Sequence, residues 1–148
     1  MRKCIQIMNF QFRQIRLKSN WEIRKMGKYF GTDGFRGEAN VVLTVEHAFK
    51  VGRFLGWYYG QDHKAKVVIG KDTRRSSILL YALVAGLTAS GANAYLLHVT
   101  TTPSVSYVTR TENFDCGIMI SASHNPFYDN GIKVINGKRT QAGGRGRS

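Results

Sequence analysis

Cysteine is nearly absent from these 148 residues, Cys4 and Cys116 being the two in the chain. They are too few for a disulfide scaffold and too far apart in sequence for a metal-ligand pair, so reduced thiols are expected and neither is assigned a role. Long apolar runs are missing as well. No stretch approaches the ~20 residues that span a bilayer, and the N-terminus lacks the roughly 7–15-residue apolar core of a secretory signal. With membrane insertion and secretion set aside, the cytoplasm is the expected compartment. Acidic residues are also scarce, nine against 22 Lys and Arg, which gives a formal net charge of +13. The excess is terminal: residues 1–25 hold seven basic and one acidic residue, residues 137–148 hold four and none, and the stretch between holds eleven and eight. Basic tails attract polyanions without specificity. No zinc spacing, aromatic-interleaved groove or helix-turn-helix pattern accompanies them, so specific nucleic-acid binding is not expected.

The length suits one domain, large enough to bury about two-thirds of the surface its unfolded form exposes. Residues 1–25 are polar and basic, without a strong period, and stop just before Met26. They are expected to be a disordered extension, and their few serines favour an upstream in-frame extension over an organelle leader. The domain is placed at residues 26–137. The remainder, "KRTQAGGRGRS", is Gly-, Arg- and Ser-rich and is expected to be a disordered tail.

Between these ends the apolar period alternates. Val45, Ala48, Phe49, Gly52, Leu55 and Tyr59 recur at helical spacing after a Thr44 cap, with Gly60 placed to end the helix in a left-handed turn. "KVVIGKD", residues 66–72, reads as a buried strand. "RRSSILLYALVAGLTASGAN" reads as a helix capped by Ser76 or Ser77, closed at Gly91 and apolar nearly all round, hence buried. "AYLLHV", residues 94–99, follows as another buried strand, then Thr102-Pro103 opens a short helix over 104–112, and 116–121 is a third strand. Strand, helix, strand, helix, strand calls for right-handed crossovers, and the expected fold is a three-layer α/β/α domain with a mixed, mostly parallel sheet. "GIKVING", 131–137, returns too soon for a crossover and is expected to be antiparallel. Functional loops belong at strand carboxyl ends, which puts "GKDTRRSS" and "SASHNPFYDNG" on one edge.

The second of those loops carries the chemistry. Ser123 stands among small and polar residues at a strand end, where a hydroxyl can act as a nucleophile or hold a phosphoryl group. The G-x-S-x-G elbow of serine hydrolases is missing, and a histidine beside a serine in an extended segment points away from it. Phosphate suits the loop better: His124 and Asn125 offer hydrogen bonds, Pro126 and Gly131 shape the backbone, and Lys133 and Arg36 add positive charge. Phosphoryl transfer asks mainly for positioning, charge neutralisation and a group to move a proton, for which Lys133 is the candidate. Arg36 lies in the glycine-dense "GTDGFRG", where anion binding and a simple Asp33–Arg36 pair are equally good readings. In "GKDTRRSS" the acid and serines are read as caps of the next helix, with Arg74 and Arg75 in solvent.

"KYFGTDGFRGEAN", residues 28–40, and "GIMISASHNPFYDNGIKVING", residues 117–137, with "GKDTRRSS" between them, resemble the first domain of the α-D-phosphohexomutases. The Ser-His-Asn-Pro loop marks that superfamily, and the Phe-Tyr-Asp-Asn-Gly wording is that of its glucosamine branch. The resemblance implies that Ser123 is phosphorylated and exchanges its phosphoryl group with a sugar through a bisphosphate intermediate. It also implies that His124 and Asn125 support that serine, that Lys133 transfers a proton and that Arg36 binds phosphate or sugar oxygens. The implied reaction interconverts glucosamine 6-phosphate and glucosamine 1-phosphate on the route to UDP-N-acetylglucosamine and the cell wall. The implied metal is Mg²⁺, held by one oxygen of phosphorylated Ser123 and by an aspartate-rich loop of a second domain. No such loop is present, nor are domains II to IV. The change of composition after Gly137 is therefore read as a frameshift, a truncated gene or a fragment boundary, and the chain alone is expected to be inactive. The glucose and mannose branches of the family, and a non-catalytic phosphosugar-binding module, are the alternatives.

Overall fold

The computed structural model describes residues 30–31 and 34–137. The N-terminal extension, the tail from 138 and the Asp33–Arg36 pairing lie outside the described residues. Six strands and three helices follow in the order β1 (Phe30–Gly31), β2 (Gly34–Glu38), α1 (Val45–Tyr59), β3 (Lys66–Lys71), α2 (Ser77–Ala89), β4 (Asn93–Val99), α3 (Thr102–Thr111), β5 (Cys116–Ile120) and β6 (Asp129–Asn136). They form one sheet in the order β1-β2-β6-β5-β3-β4. Its centre comes from two crossovers: α2 leads from β3 to β4 and α3 from β4 to β5, and β3 pairs in parallel with both β4 and β5. β6 returns antiparallel to β5, as its short connection requires, and β2 and β1 extend that half antiparallel. The α/β class and the mixed sheet stand. The parallel share is smaller than expected, because half of the strands belong to this returning side.

Helices cover both faces. On one, Phe35, Val67, Ile69, Ile118, Ile120 and Ile132 pack with Leu55 of α1 and Leu79, Leu83 and Leu87 of α2. On the other, Val68 and Met119 meet Val105 of α3. Burial on both faces is why β5 reads as an uninterrupted apolar run, all five of its residues being buried.

Several sequence expectations change. The apolar β4 is not buried but is the sheet edge, with Tyr95 43% and Val99 57% exposed, because one neighbour and incomplete cover leave its pattern open. α2 is likewise apolar all round yet shows Ile78 and Tyr81 to the surface, because α1 and the sheet occupy only part of its circumference. Phe49 is exposed, and Val51 and Phe54 take its place in the core. Gly60 ends α1 with φ of −93°, so no left-handed turn forms there, whereas Gly91 after α2 has φ of +81°. α3 is capped by Thr101 rather than Thr102: the Thr101 hydroxyl accepts from Ser104 N–H, which moves Pro103 one place further into the first turn.

α1 begins with an unusual reciprocal cap. Thr44 N–H donates to Nδ1 of His47 (3.2 Å), and the Thr44 hydroxyl lies 2.9 Å from the same nitrogen. An N–H can only donate, so Nδ1 carries a lone pair here and the folded imidazole is neutral. The ring also meets Phe35 edge-on at 5.2 Å. Burial, then the nearby charge of Lys50, lowers the His47 pKa below the usual 6.5, and Glu46 offsets only part of this. The unfolded chain therefore takes up this proton first. The stability His47 contributes is complete above about pH 6.5 and is lost as pH falls through the window below it. Thermal melts from about pH 7.5 to about pH 5.5 should show Tm falling in wild type and falling less in His47→Gln, whose carboxamide can still accept from Thr44 N–H. Parallel profiles for the two proteins would remove His47 as the cause.

Candidate active site

The carboxyl ends of β3 and β5 do share an edge, tied by Asp72 N–H to the Ile120 carbonyl (3.1 Å). Beyond Ile120 the chain leaves the sheet for the Ser123 loop and rejoins it at Asp129, while Ser121 N–H donates to Gly131 O (2.9 Å) and closes the base. Asn125 N–H donates to Ala122 O (3.1 Å), making a tight turn over 122–125. Ser123 occupies that turn with φ of +57°, a left-handed conformation in which a Cβ is crowded and which glycine, having none, adopts freely.

Ser123 is exposed, while the peptide groups on its two sides are held. Its N–H donates to Ser121 Oγ (3.0 Å), and its carbonyl accepts from Arg74 Nη2 (2.9 Å). Ser123 Oγ lies 3.5 Å from Nδ1 of the exposed His124, at the outer limit of a hydrogen bond. The segment is a turn rather than extended, so the serine and its neighbour do not point apart as the sequence suggested. The Asn125 carboxamide donates to Asp129 Oδ2 (3.0 Å), inside the loop.

Arg36 and Lys133 lie on one face of the sheet. Phe35 and Ile132, paired across β2 and β6, both point into the α1/α2 core, so their neighbours Arg36 and Lys133 point to the opposite face. Arg36 is paired with Gly131, and this glycine has a steric reason: a Cβ there would stand 2.9 Å from Arg36 Cγ and 2.7 Å from Ser121 O. The Arg36 stem thus crosses the bare backbone at the foot of the Ser123 loop. Lys133 is paired with Met119 on β5 and is half-buried. Neither cation makes a hydrogen bond or ion pair with another described residue, the ion pairs there being His63–Asp115 and Asp72–Arg74.

Arg74 is the residue that sequence reasoning missed. Read as a solvated charge, it is instead only 14% exposed and bonded to Asp72 and to four carbonyls of the Ser123 loop. Its neighbour Arg75 is exposed, as expected. Ser76, read as a helix cap, uses its buried hydroxyl to receive Asn130 Nδ2 (2.6 Å), a second tie between the two loops. Only the shared edge hinted at these contacts, which join residues about fifty positions apart.

For Mg²⁺ the described residues do not suffice. They contain no group of three or more His, Cys, Asp or Glu able to hold a metal. The two nearby carboxylates, Asp72 and Asp129, are engaged by Arg74 and Asn125. Mg²⁺ asks for near-octahedral oxygen ligands, and the one carboxylate of the Ser123 loop, Asp129, is already bonded to Asn125.

Residues 27–145 match the family described as phosphoglucomutase/phosphomannomutase, alpha/beta/alpha domain I. The chain belongs to this family. It is 86% identical over 115 residues to a phosphoglucosamine mutase of Lachnospira eligens, which covers 75% of this chain and 26% of that protein. It is 85% identical over 113 residues to one from Lachnoclostridium phytofermentans, covering 76% and 25%. The chain thus spans about a quarter of the length of the curated relatives it matches. Among solved structures, a phosphoglucomutase/phosphomannomutase family protein from Burkholderia thailandensis superposes with a TM-score of 0.65 at 27% identity, covering 73% of this chain and 26% of that one. The phosphoglucomutase/phosphomannomutase domain I fold expected from the loop motifs is therefore the fold found. No helix among the described residues is long and apolar enough to cross a membrane.

Proposed function

We propose that this chain is the phosphoserine-bearing part of a phosphoglucosamine mutase, which interconverts glucosamine 6-phosphate and glucosamine 1-phosphate. The observation that carries the reading is Ser123 itself: an exposed hydroxyl on a left-handed residue whose flanking peptides are both held by side chains. Two uncommitted cations, Arg36 and Lys133, lie on the adjoining strands. The names of relatives at 86% and 85% identity support glucosamine phosphate as the substrate.

In this reading Ser123 Oγ carries a phosphoryl group. A sugar hydroxyl attacks the phosphorus, a new P–O bond to the sugar forms, and the P–Oγ bond breaks. Lys133 relays the proton, its ammonium yielding one to the departing Ser123 Oγ and taking in its place the one that the attacking hydroxyl loses, with His124 within reach of Oγ to guide it. The bisphosphorylated sugar then returns its other phosphoryl group to Ser123, leaving the isomer. Arg36 binds a phosphate or sugar oxygen, and Asn125 stiffens the loop through Asp129. One oxygen of the Ser123 phosphate would be a ligand of Mg²⁺, the others coming from outside the described residues, and the ion would neutralise charge on the transferring phosphoryl group. Sugar recognition belongs to the rest of a longer enzyme, and a cytoplasmic location follows from a phosphosugar substrate.

Purified chain incubated with glucose 1,6-bisphosphate and Mg²⁺ is expected to carry one phosphoryl group, mapped to Ser123 by peptide mass spectrometry. Lys133→Met should slow its incorporation about 10²- to 10⁴-fold, the usual contribution of a positioned proton-transfer group. Phosphate that maps to Ser121, or no incorporation into chain that still binds the bisphosphate, would leave a binding module in place of an enzyme part.

A further inference from the structure

The geometry points to Arg74 as the positioning residue of the Ser123 loop: its guanidinium gathers the loop's carbonyls and thereby holds the serine in its left-handed turn. A guanidinium has five N–H donors in one plane and no acceptor. Here each has a partner. Nε donates to Asp72 Oδ2 (3.1 Å), Nη1 to the carbonyls of Pro126 and Asp129 (3.0 Å to the latter), and Nη2 to those of Ser123 (2.9 Å) and Asn125 (2.7 Å). Asp72 fixes the other end, its Oδ1 accepting from Arg74 N–H (3.0 Å). With every donor used and 14% of the side chain exposed, Arg74 has nothing left for a substrate phosphate. It acts on Ser123, not on the sugar.

Two consequences for the serine follow. Four carbonyl oxygens turned onto one largely covered cation are four partial negative charges kept from facing a phosphorylated Ser123. In a planar trans peptide the next N–H points the opposite way, so the amides of His124 and Phe127, which follow the Ser123 and Pro126 carbonyls, are directed away from Arg74. The His124 amide is the one covalently next to Ser123, which places a donor beside the phosphoryl group. Lysine cannot reproduce this, because three donors on a point charge leave at least two of the five acceptors empty.

The purpose of the clamp rests on the proposed role of Ser123, but its geometry does not, and the test separates them. NMR of the full 148-residue chain should show Ser123 with a left-handed φ coupling and slowed amide exchange over 122–130. In Arg74→Lys and Arg74→Ala that coupling should average out and those amides should exchange at least ~100-fold faster, with β3, β5 and α2 within about threefold of wild type. Added guanidinium ion at millimolar concentration should restore the signature in Arg74→Ala and leave Arg74→Lys unchanged. A wild-type loop in Arg74→Lys would overturn the proposal. So would unfolding of the whole domain by both substitutions, since the guanidinium would then support the fold at large. A loop that depends on Arg74 in a chain whose Ser123 never takes phosphate would keep the clamp and sink the mutase reading.

Discussion

Ser123→Gly is expected to make the domain more stable while removing its phosphoryl acceptor altogether. At φ of +57° a serine Cβ is crowded by its own backbone, at a cost of about 1 kcal/mol or more that glycine does not bear. Glycine's larger freedom in the unfolded chain returns part of this, so a net gain of up to about 1 kcal/mol, or a Tm rise of a few degrees, is the expected result. Ser123→Ala keeps the Cβ and should melt within about a degree of wild type, because Ser123 Oγ makes only the long contact to His124. Both variants should incorporate no phosphate. Calorimetry and mass spectrometry on the three proteins decide it. If Ser123→Gly melts below Ser123→Ala, the serine is not under strain, and its conformation has to be explained without a functional demand.

The second large effect lies in the α1/α2 crossing. A Cβ on Gly86 would stand 2.1 Å from the Phe49 carbonyl oxygen, and one on Gly52 would stand 2.2 Å from the Leu83 carbonyl oxygen. Each helix therefore lays its backbone directly on the other's at a glycine. Alanine in place of Gly86 gains about 1 kcal/mol of helix propensity, but the clash is with backbone, which no rotamer can relieve. The helices must part, and Leu83 and Leu87, both fully buried between α2 and the sheet, lose contacts along with them. We expect a net destabilisation of about 2–4 kcal/mol, seen as a Tm fall of more than about 8 °C. Gly91→Ala is the contrasting control: nothing lies within 4 Å of its added methyl, and the positive φ alone should cost about 1 kcal/mol. A Gly86→Ala protein no less stable than Gly91→Ala would show that the crossing can open freely.

Much of the architecture was written in local pattern. The β-branched run of β3, the aspartate that follows it, and the short return from β5 to β6 carry strand, crossover and antiparallel hairpin within a few residues each, although Gly70, expected to stop β3, lies inside it. What escaped depends on position in the sheet. "AYLLHV" has the composition of a central strand and lies at an edge, because apolar character records what a segment tolerates and not how many neighbours it has. For the same reason the all-apolar α2 looked buried though Ile78 and Tyr81 are not. Thr101 and Thr102 are chemically equal caps, and only backbone geometry chooses between them. At the site, Ser123, His124, Asn125 and Lys133 are visible as a cluster in a single stretch, whereas Arg74 is one of two adjacent arginines about fifty residues upstream. Nothing in the sequence distinguishes the arginine that enters the loop from the one left outside, and a serine in a left-handed turn carries no glycine to announce it.

The pairing of β5 with β6 also sets a rule about counting. Ile120 sits opposite Ile132, and between them the carbonyls of Ser123, Asn125, Pro126 and Asp129 all meet one guanidinium. The buried face of β6 holds its register, so a lost or added residue has to be taken up within the loop, where it would pull some of those carbonyls off Arg74. Substitutions at exposed sites such as Phe127 leave that count intact. Insertions and deletions do not, so this stretch should accept changes of spelling far more readily than changes of length.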